Sequence, residues 1–599
     1  MDLFSRRRLK ELDLQTADCF DCHDAFGYGN FQRGMLLVAV LSSFVMNCHA
    51  IAFALISEDV DHWCRRPPGL NMSTADWKSA AIPVEADGRF SRCLVYSNRG
   101  DGNDTAAVEC DAWDYDAERA PTTTVSRWNL VCHRRWLNTV ANIVYSAGSP
   151  ILVIAAGHMA DRGGRKPVLW VSVSMLLTIS FAGCFADTYS MYLSTRFLAA
   201  GFGATNVAVS LVMLFEGSGY SDRVLMTTFA SSFPFLLSDM WSQLLRLSSV
   251  HLASARVSWF LLQVVLLAPT LLLVVAFAIT QESPRWLIAK RDLQGAGVAM
   301  LSAAEVNNFE PFSIDWLMNM LKVEAVRNDA MKKVYTPSSS PGGDMRRRAL
   351  VALATQAVIT FAAHVFLLSS AATSVRHLWW ASTGATMLSY AILYVLAARA
   401  VAMTQLLRVS LVTLILLACC MSVSATAASL APLLAAIFIA AKTIAYLAIV
   451  VHAVYVVEAF PTPVRVTALA WVSACGRVGA IAAYPTSGLR DVGREDVSLA
   501  IVASLLFATL MAFRALPAGQ PSQKMVSRRP SMTSKASTEI VKLVARRSST
   551  SSNPTIDVMK ESLELPLPPS RKTSKSRSCS TSSKSSLFFP PGKAQHGLS

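Results

Sequence analysis

Residues 157–166 read Gly157-His158-Met159-Ala160-Asp161-Arg162-Gly163-Gly164-Arg165-Lys166, and this stretch decides the fold. It joins two long apolar runs, 137–158 and 168–187. Gly157, at the end of the first run, lets two helices approach closely. The Asp161 carboxylate accepts charge-assisted hydrogen bonds from nearby arginines or faces a helix N-terminus. Contacts of that kind form in one state of a gate and break in the other. Gly, Asp, Arg, Gly, Arg and Lys at these spacings say more than a basic turn would.

Outward from the motif, the chain is segmented. Of its 599 residues 53% are hydrophobic and 16% charged, with a mean hydropathy of +0.39. Soluble chains carry about 25% charge. Apolar runs at 34–56, 137–158, 168–187, 190–215, 224–247, 253–280, 348–370, 377–398, 409–427, 431–456, 464–488 and 496–515 are candidate spans. A span needs ~20 residues to cross the hydrocarbon core, and it must be helical to satisfy its own backbone there. The pair 224–247 and 253–280 is the least clean, because Asp239, Arg246 and Arg256 interrupt it. The expected fold is an all-α membrane protein of twelve transmembrane helices in two six-helix halves. An arm at 1–33 precedes the first half, 34–280, which carries a long insertion at 57–136. A polar central loop at 281–347 leads to the second half, 348–515, and a tail at 516–599. The opening segment is charged with no apolar run, so no cleaved signal peptide is expected.

Charge orients the chain. Short loops rich in Lys and Arg stay in the cytoplasm. Arg162, Arg165 and Lys166 follow span two, and the central loop holds Lys290, Arg291, Lys332, Lys333, Arg346, Arg347 and Arg348. Both termini and the central loop are then cytoplasmic, and the 57–136 insertion lies outside. That insertion carries Cys64, Cys93, Cys110 and Cys132, an even set that reads as two disulfides with three connectivities open. It also carries the glycosylation triplets Asn71-Met72-Ser73 and Asn103-Asp104-Thr105, which act only on the lumenal side.

The tail is rich in Ser, Pro, Lys and Arg, has little to bury, and reads as disordered. Arg528-Arg529-Pro530-Ser531 and Arg546-Arg547-Ser548 make kinases candidate partners, set against a plain solvated tail that carries cytoplasmic charge. Much of the net charge of +15 sits here, so it argues nothing about nucleic acid, and none is expected as a partner. No phosphate-cradling G-x-x-x-x-G-K-[ST] loop occurs. Cys19-Phe20-Asp21-Cys22-His23 matches a haem-attachment string, but c-type haem is not expected on a cytosolic arm. A zinc site lacks a second ligand pair. No cofactor, metal or enzyme activity is expected.

Residues 157–166 resemble the signature loop of the major facilitator superfamily. Other strings narrow the resemblance. They are Phe26-Gly27 and Phe31-Gln32 before span one, and His62-Trp63-Cys64-Arg65, Trp113-Asp114-Tyr115 and Arg127-Trp128-Asn129-Leu130-Val131-Cys132 in the insertion. Glu282-Ser283-Pro284-Arg285-Trp286-Leu287 follows span six, and Glu458-Ala459-Phe460-Pro461-Thr462 with Arg465 opens span eleven. Together they resemble the organic ion transporter family of solute carriers, which includes organic cation, organic anion and carnitine transporters. The resemblance covers about residues 26–515. It implies a facilitator fold, uniport or exchange of small organic ions, and a plasma-membrane address.

Ionisable residues inside spans are costly and default to functional candidates. Arg477 lies in span eleven and Lys442 in span ten, with Tyr446 one helical turn on. Unpaired cations attract an anion, and an arginine holds a carboxylate through two parallel bonds. In the family the position matching Arg477 is acidic in cation carriers and arginine in anion and carnitine carriers. The lysine matching Lys442 is found broadly. The competing reading pairs both cations with Glu216, Asp239 or Glu458 from other helices. Gate candidates are Gly157, Asp161, Arg162, Gly164, Arg165 and Lys166, then Arg196 in span four, Glu216 and Arg223 around the next loop, Glu282 and Arg285, and Glu458 and Arg465. Such charges lock one gate state and release in the other.

The chain departs from the family pattern in places. The stretch Ala398–Arg408, where the signature should recur, has no Asp or Gly. Span seven lacks the usual aromatic pair, span eight lacks a lysine that some anion carriers have, and the link between spans five and six diverges. The expected function is a polyspecific organic anion carrier by alternating access, with substrate at the midplane. A carnitine-like zwitterion or cation carrier is the near alternative. A non-transporting receptor or scaffold is the alternative from another class.

Overall fold

The computed structural model describes residues 22–57, 60–70, 72–85, 88–96, 107–115, 123–254, 259–310, 317–325, 342–374, 378–424 and 431–515, all within one compact unit, Met1–Val541. Asn71, Asn103, Ser531, Ser548 and the tail lie outside the described residues. The long helices are α1 (Asn30–Ile56), α2 (Trp136–Gly163), α3 (Arg165–Gly183), α4 (Tyr189–Gly217), α5 (Arg223–Ser254), α6 (Trp259–Leu267), α7 (Gly342–Leu368), α8 (Trp379–Ala398), α9 (Met403–Ser424), α10 (Ala431–Ala459), α11 (Arg465–Ala482) and α12 (Glu495–Arg514).

Each expected span has a helix at its place. Among the described residues ten helices are long and apolar enough to cross a membrane. An eleventh counts if Gln263–Ile279 and Pro284–Lys290, bent by 57°, form one span. The sixth span is not continuous. After α6 comes a 3-10 turn, Ala268–Val274, with Pro269 near its start, then a short helix, Val275–Ile279. The proline has no N–H to continue the ladder. Helix α5 runs for 32 residues but is not among the ten. It carries Asp239, which accepts from Thr383, and packs on α1, α4, α8 and α10, with Ser232, Ser238 and Ser242 buried. Helix α9 starts at Met403 instead of the expected 409, because Arg408 sits over the Phe513 ring at 5.7 Å instead of ending the helix.

Two seams join the halves. One is α2 against α11, and the other is α5 against α8 and α10. At the first, a Cβ on Gly157 would lie 2.8 Å from Ala470 Cβ and 3.3 Å from the Val466 carbonyl oxygen. Only a glycine admits the second helix so closely. Gly157→Leu should therefore cost about 1–3 kcal/mol through overpacking. Thermal unfolding of the purified protein checks this, and an unchanged midpoint would refute the crossing.

The insertion folds on its own cysteines. Strand β1 (His62–Cys64), β2 (Leu94–Tyr96), β3 (Ala107–Glu109) and β4 (Trp113–Tyr115) form two antiparallel pairs. In β1–β4 His62 faces Tyr115 and Cys64 faces Trp113; in β2–β3 Leu94 faces Glu109. The two motif strings from opposite ends of the insertion are thus partners in one ladder. Disulfides join Cys64 to Cys110 and Cys93 to Cys132, which selects one of the three pairings. Trp113, Val125 and Val131 pack on the first. Trp77 Nε1 donates to the Cys64 carbonyl (2.9 Å), and Lys78 sits over the Trp63 ring at 3.5 Å. Burial pushes the Tyr115 phenol up to about 12, and its OH donates to Asn129. Arg127 and Trp128 donate to residues Ala186 and Asp187, which docks the insertion on the α3–α4 turn. Removing the Cys64–Cys110 bridge as Cys64→Ser/Cys110→Ser should cost about 2–5 kcal/mol. Unchanged unfolding with the second bridge intact would contradict that.

Candidate functional site

At the central-loop end, the signature residues meet the other half. The sequence turns there because Gly164 has φ 114°, a backbone open to glycine. That turn frees the first N–H groups of α3. Glu282 takes two of them, from Arg165 (3.0 Å) and Lys166 (3.2 Å), and so caps the helix with a carboxylate.

Arg165 is fully buried. Its Nη2 lies 3.1 Å from Asp161 and donates to the Thr462 carbonyl at 2.8 Å; its Nε lies 3.3 Å from Glu216. Glu216, also without exposure, accepts from Arg465 Nη1 (2.9 Å) and Ser283 Oγ (2.7 Å). Asp161 accepts from the Thr467 backbone N–H at 2.8 Å, in the first turn of α11. Both expectations for Asp161, an arginine and a helix N-terminus, describe what it touches. Trp286 Nε1 donates to the Asp161 carbonyl (3.1 Å), and its ring carries Arg165 at 5.5 Å.

The string 282–287 is explained residue by residue. Glu282 caps α3, Ser283 binds Glu216 and caps its own helix at Trp286 N, and Pro284 occupies that helix's first turn. Arg285 lies over the Tyr220 ring at 5.2 Å. Arg223 covers the same ring at 4.1 Å and Phe215 at 4.8 Å, with Glu458 as an electrostatic neighbour. Glu216 of the first half therefore takes Arg465 of the second as well as its own half's Arg165, and Arg223 lies within electrostatic reach of Glu458. Arg162 is exposed and Lys166 Nζ sits over Trp170 at 4.6 Å, so both side chains stand outside this cluster. Arg196 stands apart too. It bonds the His49 carbonyl and lies over the Tyr145 ring at 4.1 Å, inside the first half.

A second polar region lies within the spans. Arg477 is half-buried on α11 and has no hydrogen-bond or ion-pair partner among the described residues. It lies electrostatically close to Tyr145 of α2, His364 of α7 and Tyr484, on a helix packed against both α2 and α7. Lys442 behaves differently. Its Nζ donates to Ser382 Oγ at 3.0 Å and stands 5.9 Å from the Tyr446 ring. Asp239 of α5 accepts from Thr383, the next residue of α8, and acts electrostatically on Lys442. Tyr446 stacks on Phe235 at 5.7 Å. His452 is buried with its Nδ1 donating to Gln356 at 2.7 Å. Lys442 thus has a hydroxyl partner and an acid in its electrostatic neighbourhood but no ion pair, and Arg477 has neither a hydrogen bond nor an ion pair among the described residues.

Sequence reasoning missed Thr467, Ser283 and the Asn307 hub. Asn307 Nδ2 donates to the Phe26 carbonyl (2.8 Å) and to Gln32 (3.1 Å), while its oxygen accepts from Phe31 N (2.8 Å). The Phe26-Gly27 and Phe31-Gln32 pairs were the signal for it.

The family model for "Sugar (and other) transporter" matches residues 81–486. The mouse "Solute carrier family 22 member 7" is 25% identical over 336 residues, 52% of this chain and 58% of that protein. The human "Organic cation/carnitine transporter 2" is 26% identical over 304 residues, 47% of this chain and 52% of that protein. The chain spans about half the length of the curated relatives it matches. Among solved structures, the proton:xylose symporter XylE of the major facilitator superfamily shares the fold, with a TM-score of 0.57 at 14% identity over 81% of this chain and 96% of that one.

Proposed function

The chain belongs to the Sugar (and other) transporter family, and from that premise we propose that it carries small organic anions across a membrane by alternating access, as facilitated transport or exchange. The observation that carries the anion reading is Arg477, a half-buried cation between the halves with no partner among the described residues. A buried charge without a partner costs several kcal/mol, and a bound carboxylate removes that cost through two parallel charge-assisted bonds. Tyr484, only half-buried and electrostatically close to Arg477, is the ring nearest at hand for an aromatic body. In this reading the charges at Glu216, Arg465, Arg223 and Glu458 serve as the gate, and the central-loop end faces the cytoplasm. The insertion then faces outward at the plasma membrane, glycosylated at Asn71 and Asn103, and the tail offers its serines to kinases.

The test is uptake of labelled benzoate and labelled tetraethylammonium, side by side, in cells that display the chain. Saturable benzoate uptake supports the reading. Ammonium uptake alone moves the protein to the cation alternative. Uptake of neither favours a receptor or scaffold.

A further inference from the structure

Away from the gate and from Arg477, the insertion holds a group of side chains with the donors for a metal ion: His62, Cys93 and Cys132. A ring nitrogen of His62 and the two sulfurs all lie within 4.8 Å of one another. His62 is 6% exposed, and its Nδ1 lies 2.8 Å from the Val60 carbonyl. A carbonyl oxygen only accepts, so Nδ1 carries the proton and Nε2 presents a lone pair. Among the described residues Nε2 has no hydrogen-bond partner. Metal-binding imidazoles are held in the same way, with the far N–H on a backbone carbonyl.

In the oxidised chain the two sulfurs are spent on each other, as the Cys93–Cys132 disulfide. That bridge differs from its neighbour. Cys64 and Cys110 are buried with Trp113 and have no such third ligand among the described residues. Cys93 and Cys132 are half-buried, within reach of a small reductant. We infer that Cys93, Cys132 and His62 form a redox-gated zinc site. A dithiol reductant supplies two electrons and two protons. The Cys93–Cys132 bond breaks, two thiols form, and the reductant closes to its own disulfide. Zn²⁺ then takes both sulfurs as thiolates, their protons pass to water, and Nε2 becomes the third ligand. Water completes the tetrahedron. Bond lengths of about 2.3 Å to sulfur and about 2.1 Å to nitrogen set the two sulfurs roughly 3.8 Å apart, a parting that leaves the imidazole in reach. The backbone around the site is held without the bridge. The Cys93 carbonyl accepts from Cys110 N at 3.0 Å, the Cys132 carbonyl accepts from Arg135 N at 3.1 Å, and His62 is fixed opposite Tyr115. Reduction therefore leaves a preorganised donor set. The ion replaces the covalent tie between the residue before β2 and the turn that leads into α2.

The experiment uses the purified full chain. Free thiols are capped with N-ethylmaleimide, and a dithiol is added until two new thiols per chain appear. The dithiol is removed, and Co²⁺ is titrated as a spectroscopic stand-in for zinc. The reduced wild type should bind one Co²⁺ per chain with a sulfur-to-cobalt charge-transfer band, and Zn²⁺ should displace it. The unreduced chain should show no band. His62→Gln, whose bridge still forms, should weaken Zn²⁺ binding at least about tenfold. Cys93→Ser/Cys132→Ser should abolish the band after the same treatment. Absence of the band in the reduced wild type overturns the inference, as does wild-type zinc affinity in His62→Gln. So does reduction that opens Cys64–Cys110 first, mapped by mass spectrometry. Should the double serine variant fail to fold, the oxidised and reduced wild type and His62→Gln decide.

Discussion

Glu216→Gln is expected to destabilise the protein by about 3–5 kcal/mol, the cost of breaking a buried pair by removing one partner. The carboxylate has no exposed surface and serves two guanidinium groups and one hydroxyl. An amide of the same shape cannot neutralise them. Arg165 keeps Asp161 and the Thr462 carbonyl, so part of its charge remains met. Arg465 keeps only the Phe460 carbonyl and the Thr462 hydroxyl, and loses its carboxylate. The seam at α2 and α11 should loosen first. Thermal unfolding of purified protein reads the loss, and the pair Glu216→Gln with Arg465→Gln should show a coupling of about 0.5–3 kcal/mol in a double-mutant cycle. Additive losses would mean that the two residues do not act on each other.

Arg477→Ala should cut the efficiency of benzoate uptake by roughly a hundredfold at matched surface expression. Hydrogen bonds to a charged group are worth about 1.5–3 kcal/mol each, and each 1.36 kcal/mol is tenfold in rate. Two such bonds, partly replaced by water, give that order. Arg477→Lys keeps the charge but loses the planar fork, so a loss nearer tenfold is expected. Unaltered benzoate KM and maximal rate in Arg477→Ala would remove the residue from the substrate site.

The fold was legible because the residues that set it act locally. Gly157 and Gly164 mark a close crossing and a sharp turn within one ten-residue string, and the apolar runs mark the helices. The fifth helix read poorly for a physical reason: its Asp239 is met by Thr383 of α8, and hydropathy cannot see a neighbour. The crossed pairing was illegible for the same cause. Glu216 and Arg465 stand 249 positions apart, and each has a nearer residue of opposite charge, Arg223 and Glu458, that a linear reading joins to it. The cysteine spacing left three connectivities open, and the β1–β4 register, which sets Cys64 opposite Trp113 near Cys110, selects one. At the candidate site the type and depth of Arg477 were readable. The acid near Lys442 was readable only as one of three candidates, Glu216, Asp239 and Glu458, because the sequence does not say which helices pack together.

The crossing of charges between halves bears on how the chain is made. Ribosomes complete α2 and α4 long before α11 emerges. Until then Asp161 lacks the Thr467 N–H, and Glu216 lacks Arg465. The first half therefore waits with Asp161 and Glu216 sharing the single guanidinium of Arg165. A truncated product keeps two buried carboxylates on one arginine, so the latch that holds the finished molecule also distinguishes a complete chain from a fragment.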